Sequence, residues 1–70
     1  MRTTVLSQTG RMWLVSTVFQ HEGGYETAVF PVIEGDVDFD HQKDSEYSIS
    51  LNHADIEAMH ERMVQRWSDR

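Results

Sequence analysis

The stretch Arg11 to Ile33, RMWLVSTVFQHEGGYETAVFPVI, decides how the rest of the chain must fold. Two runs rich in Val, Thr, Phe, Tyr and Trp, residues that suit a pleated surface, flank a Gly-Gly pair. Gly23 and Gly24 can take positive φ without a Cβ clash, so the pattern predicts a β-hairpin reversing there. With His21 to Gly24 as the loop, Gln20 lies opposite Tyr25 and Val15 opposite Phe30. Side chains alternate with period 2. One face then carries Trp13, Val15, Thr17, Phe19, Ala28, Phe30 and Val32, with Glu26 as its exception. The other carries Met12, Leu14, Ser16, Val18, Tyr25, Thr27, Val29, Pro31 and Ile33. Both are largely apolar, whereas a sheet wetted on one side alternates cleanly, so this hairpin expects cover on both faces. Pro31 lacks an N–H and belongs at an edge or a bulge.

Outward from the hairpin, TTVLS (Thr3 to Ser7) reads as a first strand, joined through Gly10 in a meander. After Ile33 the character changes. Glu34 to Glu46 holds six acids against one lysine, so five of the net six negative charges fall in this segment, which reads as a loop with a short extended piece at Val37 to Asp40. EYSISL (Glu46 to Leu51) alternates strictly, with Tyr47, Ile49 and Leu51 on one side, and reads as a half-buried strand. Asn52 then caps a helix, with Asp55 at the third position and Leu51 and Ile56 spaced for a hydrophobic staple. Its apolar stripe is Ile56, Met59, Met63 and Trp67, with His60 on the edge of the stripe. The expected fold is α+β in one domain. A small antiparallel sheet of about four strands (3–7, 12–20, 25–33, 46–51) carries an acidic loop at 34–45 and one C-terminal helix over 53–67. The helix is expected on the Trp13, Val15, Phe30 face, where Ala28 and Thr17 leave room for Met59, Met63 and Trp67.

Seventy residues make one small domain that buries only about 60% of its unfolded surface. There is no cysteine, which removes disulfides and thiolate metal sites and fits a reducing compartment. No apolar run approaches membrane-spanning length, and the opening MRTTVLSQTGR has no signal-peptide core. A net charge of −6 argues against direct nucleic-acid binding, which needs a basic face.

No motif of catalysis survives inspection. Asp36, Asp38 and Asp40 open like a calcium loop, but His41 stands where the turn needs Gly and Tyr47 where the bidentate Glu belongs. His21-Glu22 and His60-Glu61 begin like zinc-protease helices, and Tyr25 and Val64 replace the second His. Glu57-x-x-His60 has a carboxylate-histidine ligand spacing without the companion Glu residues such sites require. There is no serine elbow and no glycine-rich phosphate loop. Hence no catalytic, cofactor or metal residue is assigned. In extended form, alternate residues stand about 6.6–7 Å apart. Asp36, Asp38 and Asp40 would then present charge at nucleic-acid phosphate spacing, suited to a basic groove on a partner.

Tyr25-Glu26-Thr27-Ala28-Val29-Phe30 and His60-Glu61-Arg62-Met63-Val64-Gln65-Arg66-Trp67 resemble a family of small bacteriophage proteins of the actinophage type. That family pairs a YETxVF strand with a closing HxxMVxxW helix. The resemblance implies a phage accessory protein acting in the cytoplasm of a bacterial host, and it carries over no functional residue.

One helix is narrower than a four-stranded sheet, so one apolar face stays uncovered unless Val37 and Phe39 of the acidic loop fold back as lids. The expectation is a small acidic, non-enzymatic protein that binds and modulates a host protein, an anti-defence inhibitor being its concrete form. Its interaction residues would be Glu34, Asp36, Asp38, Asp40, Asp44 and Glu46 in the acidic segment. Met12, Leu14, Val18, Tyr25, Val29 and Ile33 would supply the spare face. Two alternatives stand beside it: a self-associating structural protein, as a homodimer through that face, and a weak divalent-metal binder through the Asp36-Asp38-Asp40 loop.

Overall fold

A computed structural model describes residues 1–70 as an antiparallel five-stranded sheet with one C-terminal helix, an α+β fold. The elements are β1 (Arg2–Leu6), β2 (Met12–Phe19), β3 (Tyr25–Ile33), β4 (Asp36–Val37), β5 (Asp44–Ser48) and α1 (His53–Ser68). β1, β2 and β3 form the meander, and β4 and β5 lie end to end along the far edge of β3.

The hairpin is where expected, but its register differs by one residue. Phe19 pairs with Tyr25 and Val15 with Val29, not Phe30. The turn explains the slip. Gly23 N–H donates to the Gln20 carbonyl and Gln20 N–H to the Gly24 carbonyl, so the loop has three residues with Gly23 left-handed at a φ of 92°. A one-residue slip exchanges every side chain between faces. Tyr25, Thr27 and Val29 therefore share the face of Trp13, Val15 and Thr17, while Ala28, Phe30 and Val32 join Met12, Leu14, Ser16 and Val18. Gly24 is also needed for space, since a Cβ there would stand 2.5 Å from the Ser48 carbonyl oxygen of β5.

Pro31 sits where its missing N–H does least harm. The odd residues of β3 turn their backbone groups away from β2, and Pro31 falls in the gap between β4 and β5. Its carbonyl accepts from Asp38 N–H at 2.8 Å.

α1 lies chiefly over β2, with β1 and β3 at its flanks. Its N-terminus is held by Asn52, whose side chain accepts from Ala54 N–H at 2.9 Å. Asp55 does not close a capping box; it accepts from the Ser50 hydroxyl, whose oxygen in turn accepts from Asn52 N–H. Leu51 stays 70% exposed, so the expected staple with Ile56 does not close. Ile56, Met59, Met63 and Trp67 are buried, as the stripe predicted, and Met63 and Trp67 pack with Val5, Trp13, Val15 and Val29 in one core cluster. Trp13 and Trp67 meet edge to face, 4.6 Å between centroids. His60 lies in the middle of the stripe rather than at its edge and is fully buried. No helix is long and apolar enough to cross a membrane.

Candidate interaction face

With the helix on one side, the other side of the sheet is laid out by the register in transverse rows. Leu6, Met12, Val32 and Val37 form one, and Thr4, Leu14 and Phe30 the next. Then come Arg2, Ser16, Ala28 and Ser45, and finally Val18, Glu26 and Tyr47. Leu14, Ser16 and Ala28 are buried in its middle. Around them Leu6 (65% exposed), Met12, Val18 and Tyr47 remain open, and Ile49, just beyond β5, is 83% exposed. The loop after β4 covers part of this surface. Phe39 stacks edge to face on Phe30 at 5.0 Å, and Val37 pairs with Val32, so both act as lids, the alternative to an uncovered face. Phe39 itself is still 55% exposed, which leaves the cover partial.

The six residues expected on the spare face are therefore divided. Met12, Leu14 and Val18 lie on it, although Leu14 is buried. Val29 is fully buried beneath the helix, and Tyr25 faces the same way, because the register slipped. Ile33 is exposed at the end of β3, on the helix-side alternation but beyond the helix. Leu6, Phe30, Tyr47 and Ile49 were not expected on this face. The signal for Tyr47 and Ile49 was present, since strict alternation gave β5 an apolar side, but that side turns outward.

β5 turns outward because its polar side has partners. The Asp44 carboxylate accepts from the Arg66 guanidinium at 2.9 Å and from the Trp67 indole N–H at 3.0 Å. Glu46 lies 3.5 Å from the same guanidinium, close enough for an ion pair, and its buried Oε2 makes no hydrogen bond. Burial pushes the Asp44 carboxyl up, but the bonds from Trp67 and Arg66 and the charge of Arg66 outweigh it and hold it below its ordinary value. On the opposite side of β5, the Tyr47 hydroxyl donates to the Gly23 carbonyl.

The acidic segment is thus not one surface. Asp44 and Glu46 fasten the sheet to the end of the helix. Asp38 caps a turn, accepting from Asp40 N–H at 3.1 Å and pairing with His41 Nδ1 at 2.7 Å. Glu34, Asp36 and Asp40 are exposed, Asp36 opposite Ile33 on the helix-side alternation. Only Asp36 and Val37 are extended, so the strand-like spacing of Asp36, Asp38 and Asp40 that would imitate phosphates is absent. Nowhere do three or more His, Cys, Asp or Glu side chains converge in a group that could hold a metal ion. A cleft of about 510 Å³ opens past the helix, floored by Trp13 and Pro31. Its rim balances Arg11 and Lys43 against Glu34 and Asp38 and so selects no ligand charge.

Under the helix lies a second polar assembly that sequence reading missed. His60 Nε2 is 2.8 Å from the Thr3 hydroxyl and Nδ1 is 2.7 Å from that of Thr17, which bonds Thr27 at 2.6 Å. Both ring nitrogens are satisfied, which fits a structural residue. No protein-family model, curated protein or solved structure matches this chain.

Proposed function

We propose that this is a small acidic, non-enzymatic interaction protein, phage-encoded, whose open sheet face binds and modulates a bacterial host protein, as an anti-defence inhibitor does. The observation that carries the reading is the exposed apolar surface opposite the helix, with Met12, Val18, Phe39, Tyr47 and Ile49 open to solvent. Large apolar side chains gathered in the open on one sheet face are characteristic of binding faces. The exposed acids Glu34, Asp36 and Asp40 favour a host protein with a basic groove, and contribute steering more than affinity.

The test is a photo-crosslinking amino acid at position 49 in expressing bacteria, with position 57 on the helix as control. One host protein should be captured at 49 and not at 57. Purified, it should bind the wild-type chain, and Tyr47→Lys with Phe39→Asp should weaken binding at least tenfold (~1.4 kcal/mol). Asp36→Asn should lower the association rate and its salt dependence. Equal capture at both positions, or binding indifferent to the face variants, would sink the reading.

A further inference from the structure

We propose that the free edge of β1 is a self-complementary seam through which two copies of this chain join into one continuous sheet. The proposal stands apart from the open face, because the seam lies in the plane of the sheet and uses backbone groups.

The ladder between β1 and β2 fixes which groups are free. Ser7 N–H donates to the Arg11 carbonyl and Thr17 N–H to the Met1 carbonyl, both in the register that pairs Thr3 with Val15. Hydrogen-bonded pairs alternate along an antiparallel ladder, so the odd residues of β1 bond β2. The N–H and carbonyl groups of Arg2, Thr4 and Leu6 therefore point outward. β1 pairs with no other strand, and none of these groups takes part in a turn or loop bond.

Proteins usually blunt such an edge with proline, lysine, a bulge or an inward charge. β1 has none of these; its only charge is Arg2, at its first position. The opposite edge is different: β5 carries Asp44 and Glu46, and two copies paired there would bring like charges together. The chain as a whole carries −6, yet its first acid is Glu22. β1 is thus the edge where two copies meet with least repulsion.

A two-fold axis through Thr4 sets Thr4 opposite Thr4 of the second copy and Arg2 opposite Leu6, and every outward group on both strands then finds its partner. The aliphatic stem of Arg2 covers Leu6 of the second copy, which is 65% exposed in the single chain. The helices do not obstruct this. Each lies over β2, so across the seam their axes stand three strand spacings apart, about 14 Å. Packed helices need only ~8–10 Å. The symmetric seam closes on itself, whereas β1 against β5 of another copy would propagate.

Light scattering over a concentration series, with amide exchange on the same samples, tests the seam. The expected result is a mass limiting at twice 8.2 kDa. Arg2, Thr4 and Leu6 amides should exchange slowly at high concentration and fast on dilution. Thr4→Pro removes an N–H that the single chain does not use, and should give a folded monomer. Tyr47→Lys with Phe39→Asp, on the open face, should stay dimeric. A monomer at every concentration would overturn the proposal, as would a dimer in which those amides exchange fast, or a mass that grows past two chains. Should Thr4→Pro unfold, the wild-type exchange pattern still decides.

Discussion

His60 is an ionisable residue held out of water. It is 1% exposed, with Thr3 on one ring nitrogen and Thr17 on the other. Burial pulls its pKa below the usual 6.5, and the Met1 ammonium adds to this while Glu61 opposes it. A neutral imidazole donates from one nitrogen and accepts at the other, and the hydroxyls can rotate to serve either tautomer. Protonation leaves the bonds possible, with Thr17 turning to donate to Thr27, but it places a charge under the helix. The unfolded chain then binds the proton more readily than the native one, so stability is complete above pH 6.5 and falls as the pH drops below it. Denaturant midpoints at pH 7.5 and 5.5 should differ more for the wild type than for His60→Gln. Glu34 poses the opposite case, an exposed residue in a costly conformation. Its φ is 53° and that of Gly35 is 85°, a two-residue turn in which asparagine or glycine fits better. Glu34→Asn should raise unfolding stability by ~0.5–1 kcal/mol in urea titrations. Neither feature was legible beforehand. The periodicity of α1 put His60 at the edge of a stripe, because no sequence pattern announces threonines from two strands meeting its ring, with a third behind Thr17. The Glu34-Gly35 turn was hidden by the acids around it.

At the scale of elements, composition and periodicity located nearly everything, and hydrogen bonding decided the orientations. β1, β2, β3 and α1 lie within a residue of where propensity and capping put them, but the last strand runs Asp44–Ser48 rather than 46–51, drawn back along β3 by the partners of Asp44. The hairpin register depended on whether four residues or three close the turn, and Gly-Gly satisfies either. β5 shows why an alternating strand alone does not tell its inward side. Asp44 and Glu46 face inward because Arg66 and the Trp67 indole wait there, twenty or more residues later in the chain. The two tryptophans stack on each other, but only Trp67 has a partner for its N–H; that of Trp13 is buried without one. Trp67→Phe should therefore cost about 1 kcal/mol more than Trp13→Phe, since it deprives Asp44 of a donor while Trp13→Phe removes an orphan. Urea unfolding of both variants checks the difference. Asp44 itself favours folding above its ordinary pKa of 3.8, and that contribution is lost as the pH falls through its lower native value.

For the whole molecule, the mismatch between one helix and a two-faced apolar sheet was readable from the hairpin alone, and it predicts the open surface better than it predicts its members. The parts are joined unequally. Ile49 and Leu51, between β5 and α1, are 83% and 70% exposed, while the helix is held to the sheet by buried side chains and by Arg66 and Trp67 on Asp44. The covalent link at this point carries little of the adhesion. A chain severed between Ile49 and Ser50 leaves the capping residues with the helix, which is too short to persist alone in water. Mixed, the two fragments should recover the far-ultraviolet helical signal that neither shows by itself. The protein is in this sense already divided into a receptor and its own peptide ligand, a split pair whose reunion could report on whatever brings its halves together.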